Sequence, residues 1–261
     1  MLMQLKDYVT LMNGACGFIC VVLVMRGELV IGSLFVYFGW AFDALDGPVA
    51  RLTGRQNKFG GELDNMCDMI TWAMAPSFVV YAYYERFFST LPALQDPSWL
   101  AWILAAALSS LPILCGAIRF ARFTATELRA HGYWIGLPRP VSAFVMVAFL
   151  NSHLFEHPIG PWVGILVCTV LPLLNLSLLP FISHHAGWWS GFLSGLLTTV
   201  ALTSLAALVV GIVAGDYGYF FDMFFFWMVG YIGLAWTYIP RPDLEKIRTD
   251  IAEWRKREMA G

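Results

Sequence analysis

The stretch DALDGPVARLTGRQNKFGGELDNMCD, residues 43–68, decides how the whole chain is interpreted. Its four aspartates lie in an otherwise apolar sequence: Asp43, Asp46, Asp64 and Asp68. If residues 35–53 form a helix, the first two acids share one face because they are three residues apart. On a following helix the last two acids, four residues apart, do the same. Helices joined by a short loop pack antiparallel, so the spacing predicts one pocket lined by these carboxylates.

The predicted pocket has the composition of a metal site. Carboxylates that share a site repel one another unless cations or protons neutralise them. Ligands that are all oxygen favour hard divalent ions such as Mg²⁺ or Mn²⁺, with Ca²⁺ possible in vitro, over Zn²⁺. A lone acid is more often a helix cap or a solvated residue, but two matched stripes at membrane depth indicate function.

The residues between the acids suit a phosphorylated ligand. Gly47, Ala50 and Gly60 leave the acidic faces without bulk, so such a ligand could approach the backbone closely. Arg51 lies one residue from the first stripe and could pair with phosphate oxygens. The sequence thus predicts that cations and a phosphate group meet in one pocket.

The composition places this pocket in an integral membrane protein. Of the 261 residues, 59% are hydrophobic and only 13% are charged, which excludes an ordinary soluble domain. Taking about 20 residues as the length that crosses a bilayer, we predict an all-α polytopic fold with about eight transmembrane helices. The predicted spans are 9–25, 30–52, 61–84, 98–118, 138–155, 159–181, 189–214 and 217–239.

The basic residues predict how these helices are oriented. If the acidic pocket faces the cytoplasm, 14 of the 16 Lys and Arg residues lie on that side, and only Arg26 and Arg86 lie outside. Both termini are then cytoplasmic. We predict a transmembrane domain over residues 1–240 and a cytoplasmic amphipathic tail helix over residues 241–261. The predicted location is the inner or cell membrane of a bacterium or archaeon.

The acidic motif resembles the signature of the CDP-alcohol phosphotransferases. That signature is matched without gap or substitution by Asp43-x-x-Asp46-Gly47-x-x-Ala50-Arg51, eight residues, and Gly60-x-x-x-Asp64-x-x-x-Asp68. The resemblance implies that the first three aspartates hold divalent cations, two in all, on the pyrophosphate of a CDP-linked lipid. It implies that Asp68 is the general base for the acceptor hydroxyl as well as a metal ligand. The fold of that family and a homodimer are also implied.

Two further stretches resemble the branch of the family that makes phosphatidylserine. The first span carries TLMNGACGF, residues 10–18, and the fourth ends in IRFARF, residues 118–123, followed by GLPRPVSA, residues 136–143. Within the first stretch, Asn13 is a buried amide that needs a partner and could bond the nucleotide or a neighbouring helix. The resemblance implies transfer of a phosphatidyl group from CDP-diacylglycerol to the hydroxyl of L-serine, with release of CMP.

Three arginines on the acidic side are candidate contacts for the acceptor: Arg119, Arg122 and Arg139. Their guanidinium groups could bind the anionic part of an acceptor, or they could anchor the chain at lipid headgroups as positive-inside residues. The carboxylate of serine fits the first alternative. Inositol phosphate and glycerol 3-phosphate would also attract several cations, whereas choline would be repelled.

Two other classes of protein bind cations through acidic helices. A membrane prenyltransferase is expected to carry paired Asp-Asp-type motifs, which this sequence lacks. A divalent-cation transporter is expected to place polar residues across the bilayer, whereas the acids here are backed by apolar spans. The expected partners are therefore CDP-diacylglycerol, a small alcohol acceptor, the lipid bilayer and a second copy of the chain, without nucleic acid.

Overall fold

The computed structural model describes residues 3–53, 58–125, 132–183, 190–237 and 239–260, which form a helical bundle with one small sheet. The helices are α1 (Leu5–Met25), α2 (Leu29–Thr53), α3 (Lys58–Met69), α4 (Ala75–Thr90), α5 (Trp99–Ala125), α6 (Arg139–Leu150), α7 (His153–Glu156), α8 (Gly160–Leu176), α9 (Ser190–Ala214), α10 (Gly218–Thr237) and α11 (Arg241–Ala260). A π-helical turn, Ile70–Met74, joins α3 directly to α4, and a 3₁₀ turn, Pro92–Leu94, follows α4. The sheet pairs β1 (Tyr133–Ile135) with β2 (Pro180–Ile182) in antiparallel register. The all-α class predicted from the sequence is confirmed.

Glycine residues bring α1 very close to α3. A Cβ atom on Gly14 would lie 2.9 Å from the sulfur of Cys67, and one on Gly17 would lie 2.8 Å from the Cα of Thr71. The Thr71 hydroxyl also donates a hydrogen bond to the carbonyl of Asn13 at 2.9 Å. Because the numbers of the contacting residues rise together, the two helices run in the same direction. Small residues on α1 therefore set the position of the helix that carries two of the acids.

An aromatic core lies behind the acidic end of α3. Trp72 is buried and its ring meets that of Phe144 edge-on, with centroids 5.3 Å apart. Tyr37 stacks on Phe144 and donates a hydrogen bond to its backbone carbonyl at 3.1 Å. From α10, Phe221 and Phe224 pack against Tyr37. The core thus joins α2, α6 and α10 to the turn that follows the last acid.

The predicted spans coincide with helices, but crossing of the bilayer by all eight is not established. In the described part of the chain, two helices are long and apolar enough to cross a membrane: Leu5–Met25 and Trp99–Ala125. Four shorter apolar segments are Leu29–Leu45, Arg139–Leu150, Gly160–Leu176 and Thr198–Ala214. The 12 residues of α6 extend only about 18 Å, against a hydrocarbon core of about 30 Å. Since residues 142–150 are buried without exception, α6 lies inside the bundle.

The small sheet is a feature that the sequence analysis missed. A span was predicted over residues 159–181, but α8 ends at Leu176 and residues 180–182 pair with β1 instead. Strands of three residues carry too little alternation to be recognised from the sequence. The pairing matters for the site, because β1 leads through the turn at residues 136–138 into Arg139.

The apolar side of the predicted tail helix packs on protein. Ile247 of α11 is buried against Tyr133 of β1 and Ile182 of β2, and Leu244 joins the same cluster. The hydroxyl of Tyr133 donates a hydrogen bond to the carboxylate of Asp243 at 2.5 Å. The sheet thus covers part of the apolar face of this helix, and its cytoplasmic location stays a prediction.

A histidine held between two carboxylates closes the end of the bundle opposite the acidic pocket. Nδ1 of His153 lies 2.5 Å from Asp222, and Nε2 lies 2.9 Å from Asp216. Both ring nitrogens face carboxylate oxygens, an arrangement that favours the imidazolium, in which both nitrogens are donors. Gly218 lets the imidazole ring of His153 approach the backbone closely, since a Cβ there would be 2.7 Å from the ring. The arrangement, which we call the histidine clamp, ties α7 to the start of α10.

Candidate active site

Three of the four predicted acids come together between α2 and α3. One carboxylate oxygen from each of Asp43, Asp64 and Asp68 lies within 4.8 Å of the others, and all three side chains are half-buried. Asp46 belongs to α2, but its side chain lies outside the described part of the structure. The two stripes deduced from the spacing thus meet at one place, and their donor atoms are all oxygen, which fits a hard divalent cation.

The two oxygens of Asp68 have different neighbours. Oδ1 accepts a hydrogen bond from the indole N–H of Trp72 at 2.8 Å and another from the amide of Asn13 at 3.2 Å. Oδ2 faces the guanidinium of Arg139 at 3.5 Å, a long contact for a charge-assisted hydrogen bond. One oxygen is therefore held firmly, whereas the other faces a cation only loosely.

Arg139 is the predicted acceptor arginine that lies beside the acids. It is the first residue of α6, and its side chain is 12% exposed. Its NH1 atom lies 3.1 Å from the sulfur of Met69, and its Cζ lies 5.6 Å from the centre of the Phe120 ring. A guanidinium near an aromatic face is attracted electrostatically. The structure thus holds a positive charge at the edge of the acidic cluster.

Arg119 and Arg122 face the carboxyl end of α8. Arg119 donates to the carbonyls of Ile135 and Asn175 at 2.9 and 3.0 Å. Arg122 donates to the carbonyl of Leu176 at 2.8 Å, with longer contacts to the carbonyls of residues 175 and 177. The last carbonyls of a helix lack partners within it and carry partial negative charge, so two cations are well placed there. In this structure both side chains join α5 to α8 and β1.

A glycine turn determines where α6 begins, and Arg139 is the first residue of that helix. Gly136 has φ of +77°, a conformation that L side chains rarely adopt. A Cβ at this position would lie 2.5 Å from the carbonyl oxygen of Asn175 and 2.7 Å from NH1 of Arg119. The amide of Leu137 bonds the carbonyl of Leu174 at 3.0 Å. The turn is therefore pressed against the end of α8, which fixes the start of α6.

The predicted contacts for the CDP-lipid lie on the same two helices and on α1. Asn13 and Gly60 are buried, and Gly47 is half-buried in α2. Ala50 and Arg51 also belong to α2, but their side chains lie outside the described part. The Oδ1 atom of Asn13 is buried and has no hydrogen-bond partner among the described residues. Among the described residues, this oxygen is therefore a buried acceptor whose donor is not accounted for.

Two residues of the site were missed by the sequence analysis. Trp72 looked like an ordinary apolar residue of the third span, although its spacing of four residues from Asp68 was a usable signal. Asp7 is 1% exposed, and its Oδ1 has no hydrogen-bond partner in the described part of the chain. Asp7, Thr10 and Asn13 recur every three residues, which places them near one face of α1. That periodicity of polar residues in an apolar helix could have identified the face.

Comparison with known proteins agrees with this chemistry. Residues 3–176 match the family model described as CDP-alcohol phosphatidyltransferase. A CDP-diacylglycerol–serine O-phosphatidyltransferase of Methanocaldococcus jannaschii is 30% identical over 169 residues, which cover 64% of this chain and 71% of that protein. The protein of the same name from Bacillus subtilis is 27% identical over 178 residues, covering 68% and 91% respectively. An archaetidylserine synthase of Methanothermobacter thermautotrophicus is 26% identical, with coverage of 64% and 66%.

Proposed function

Because this chain belongs to the CDP-alcohol phosphatidyltransferase family, we propose that it transfers a phosphatidyl group from CDP-diacylglycerol to the hydroxyl of L-serine. The observation that carries the proposal is the cluster of Asp43, Asp64 and Asp68, with Arg139 beside it. The names of the similar proteins supply the choice of serine. The reaction forms a bond between the serine oxygen and the phosphorus next to diacylglycerol. It breaks the bond from that phosphorus to CMP, which leaves.

The acids would hold Mg²⁺ or Mn²⁺, with Asp46 completing the set by its place in the motif. When bound, two such cations neutralise the pyrophosphate and stabilise the departing CMP. The residues proposed for the CDP-lipid are Asn13, Gly47, Ala50, Arg51 and Gly60. Of these, Asn13 is supported most directly, because its amide donates to Asp68 and its buried Oδ1 has no partner among the described residues.

Asp68 would accept the proton of the acceptor hydroxyl as that oxygen attacks. Its Oδ1 is occupied by two donors, so Oδ2 is the atom that receives the proton. A positioned base of this kind contributes roughly 10²–10⁴-fold to the rate. The remaining catalysis comes from orientation and from charge stabilisation, as in other phosphoryl transfers.

Arg139 would bind the carboxylate of serine. Of the three arginines proposed for the acceptor, it is the one whose guanidinium lies against an acid of the cluster. Arg119 and Arg122 would have to release the carbonyls at the end of α8 before they could touch an acceptor. We therefore assign them the task of holding the turn from which Arg139 extends. A cation at this position also disfavours choline as the acceptor.

The same proposal includes a multi-pass membrane protein whose acids and termini face the cytoplasm, and which forms a homodimer. Exposed apolar side chains support contact with lipid, among them Leu166 of α8 and Leu114 of α5. At the end far from the acids, Trp99, Trp102 and Trp162 are each about half exposed. Tryptophan collects at the boundary between membrane and water, so these rings would mark the outer surface.

The test is CMP release by the purified protein in detergent with CDP-diacylglycerol and Mg²⁺ or Mn²⁺. L-serine, inositol phosphate, inositol, glycerol 3-phosphate and choline are added one at a time. We expect release that depends on serine and metal, lost in Asp43→Asn and kept in Asp96→Asn, an exposed acid of the loop after α4. Release with another acceptor would retain the chemistry and refute serine. Metal flux into proteoliposomes without any CMP release would refute the enzyme and favour a transporter.

A further inference from the structure

The position of Trp72 follows from the π-helical turn that begins two residues after Asp68. Its indole ring is 2% exposed, and its N–H lies 2.8 Å from Oδ1 of Asp68. An indole has one donor and no acceptor, so this hydrogen bond satisfies its whole requirement. A buried tryptophan needs such a partner, and here the partner is a carboxylate of the acidic cluster.

The surroundings of Trp72 leave its ring little freedom. Phe144 meets the ring edge-on, and the neighbouring Thr71 is bonded to the backbone of Asn13. A Cβ on Gly39 would lie 2.7 Å from the methyl group of Thr71, so α2 presses on the same turn. Both donors to Oδ1 are therefore held by packed helices rather than by mobile loops.

An aspartate carboxylate otherwise rotates over a broad range of χ2. Two hydrogen bonds to the same oxygen fix both the position of Oδ1 and the plane of the group, and Oδ2 is then directed toward Arg139 and the other acids. Displacement of a reacting group by about 1 Å can reduce a rate by about 10²-fold. Orientation of this carboxylate is thus a property on which turnover depends.

We propose that Trp72 is a positioning residue, which acts with Asn13 to fix one oxygen of Asp68 so that the other oxygen faces the acceptor. This inference rests on the proposed function, because it assigns Trp72 a task only if Asp68 works as the base. It concerns the rate of the chemical step rather than the binding of cations, since the indole donates to Asp68, whereas Asp43 belongs to α2 and Asp64 lies four residues before Asp68 in α3.

The test is Trp72→Phe, which keeps an aromatic ring and removes the donor. Its matched control is Tyr84→Phe, because Tyr84 is equally buried in α4 and donates to the carbonyl of Pro161 at 2.8 Å, far from the acids. We expect kcat of Trp72→Phe to fall about tenfold or more, with KM for both substrates changed less than threefold. Binding of Mn²⁺, followed by electron paramagnetic resonance without substrate, should stay within threefold of the unaltered protein. Tyr84→Phe should lower the melting temperature without lowering kcat.

A second variant tests the shared oxygen. Each single change, Trp72→Phe or Asn13→Ala, leaves one donor on Oδ1, so the double variant should lose more in kcat than the product of the single losses. The pair Tyr84→Phe and Asn13→Ala should give only the product.

Three outcomes would overturn the inference. The first is unchanged kcat in Trp72→Phe while Asp68→Asn is inactive, which leaves the proposed function standing. The second is a simple product of losses in the double variant. The third is an absence of CMP release by the unaltered protein, which refutes the proposed function as well. If Trp72→Phe fails to fold, Asn13→Ala alone decides, and an unchanged kcat there refutes the role of Oδ1.

Discussion

The different surroundings of the two oxygens of Asp68 lead to a prediction at the scale of a single residue. Asn is close to Asp in size and keeps one oxygen as an acceptor, but it cannot take a proton. We expect Asp68→Asn to lower turnover at least about 100-fold, while metal-dependent binding of CDP-diacylglycerol largely survives on Asp43 and Asp64. CMP release and equilibrium binding of labelled lipid, with and without Mn²⁺, measure the two effects. Equal loss of both would mean that Asp68 is mainly a ligand.

Arg139 gives a second prediction at this scale. A hydrogen bond to a charged group contributes about 1.5–3 kcal/mol, so Arg139→Gln should raise KM for serine about tenfold or more. The ratio of activity with serine to activity with ethanolamine, which lacks the carboxylate, should fall as well. Arg26→Gln, an exposed arginine at the far end of the bundle, is the control and should change neither value. An unaltered ratio in Arg139→Gln would show that another group recognises the carboxylate.

The sequence predicted the positions of the acids better than those of the residues that contact them, Arg139 and Trp72. Spacing along two helices was enough to bring Asp43, Asp64 and Asp68 together, because helical periodicity is local. Spacing could not show that Arg139 lies beside the acids whereas Arg119 binds carbonyls at the end of α8, because the residue at which α8 ends cannot be read from local periodicity. Trp72 was hidden for another reason. In an apolar span a tryptophan resembles its packing neighbours, and the signal that could have identified it was its spacing of four residues from Asp68.

At the scale of elements, the contact of α1 with the π-helical turn after α3 is sensitive to added volume. Gly17→Ala would place a methyl group 2.8 Å from the Cα of Thr71, a backbone atom that cannot move aside. We expect a loss of about 1–3 kcal/mol in stability, seen as a lower melting temperature in detergent. Gly61→Ala in α3 is the control, because none of the described residues lies within 4 Å of a Cβ there. Alanine in a helix interior should stabilise that variant by about 0.5–1 kcal/mol. A melting temperature that falls equally in both would refute the tight contact.

The elements that were missed share one physical cause. β1 and β2 each have three residues, which is too short for a recognisable pattern. The strands are stabilised by pairing between residues 45 or more positions apart in the sequence, such as Ile135 and Pro180. The end of α8 and the burial of α11 follow from that pairing. Periodicity detects a helix from its own residues, whereas a short ribbon exists only after the chain has folded around it.

At the scale of the whole molecule, the histidine clamp connects distant parts of the chain and predicts a dependence on pH. Hydrogen bonds to Asp222 and then to Asp216 raise the pKa of His153 to about 9. A pKa above the unfolded value means that the contribution to stability is complete below about pH 6.5 and is lost as the pH rises through about 9. The hydrogen bond to His153 lowers the pKa of Asp216. The stability that Asp216 contributes is therefore present above the ordinary pKa of an aspartate and is lost in acid.

We therefore expect the melting temperature of the purified protein to fall between pH 7 and pH 10, and His153→Gln to flatten this part of the curve. The side chains of the clamp are 35% to 45% exposed, so solvent screening should keep the effect to about 1 kcal/mol or less. His157→Gln, a neighbouring exposed histidine, is the control and should keep the slope of the unaltered protein. The same slope in His153→Gln would show that other groups govern stability in this range.

The match to the family ends at residue 176, yet the bundle does not. The aromatic side chains of α10 complete the core around Tyr37 and Phe144, and the clamp fastens the start of α10 to α7. The later helices are thus packed into the same body as the acids. Their sequence offered span-like hydropathy and little else, because contacts of this kind leave no local pattern.

The parallel packing of α1 against α3 determines the direction in which the aspartates of α3 face. Gly14 packs against Cys67 and Gly17 packs against Thr71. These two contacts lie one residue before and three residues after Asp68. Sliding α3 by one residue along α1 would move that carboxylate about 1.5 Å along the axis and turn it by about 100°, away from its partners. The first helix, whose Asn13 donates a hydrogen bond to Asp68, therefore determines the angle at which α3 presents the acids.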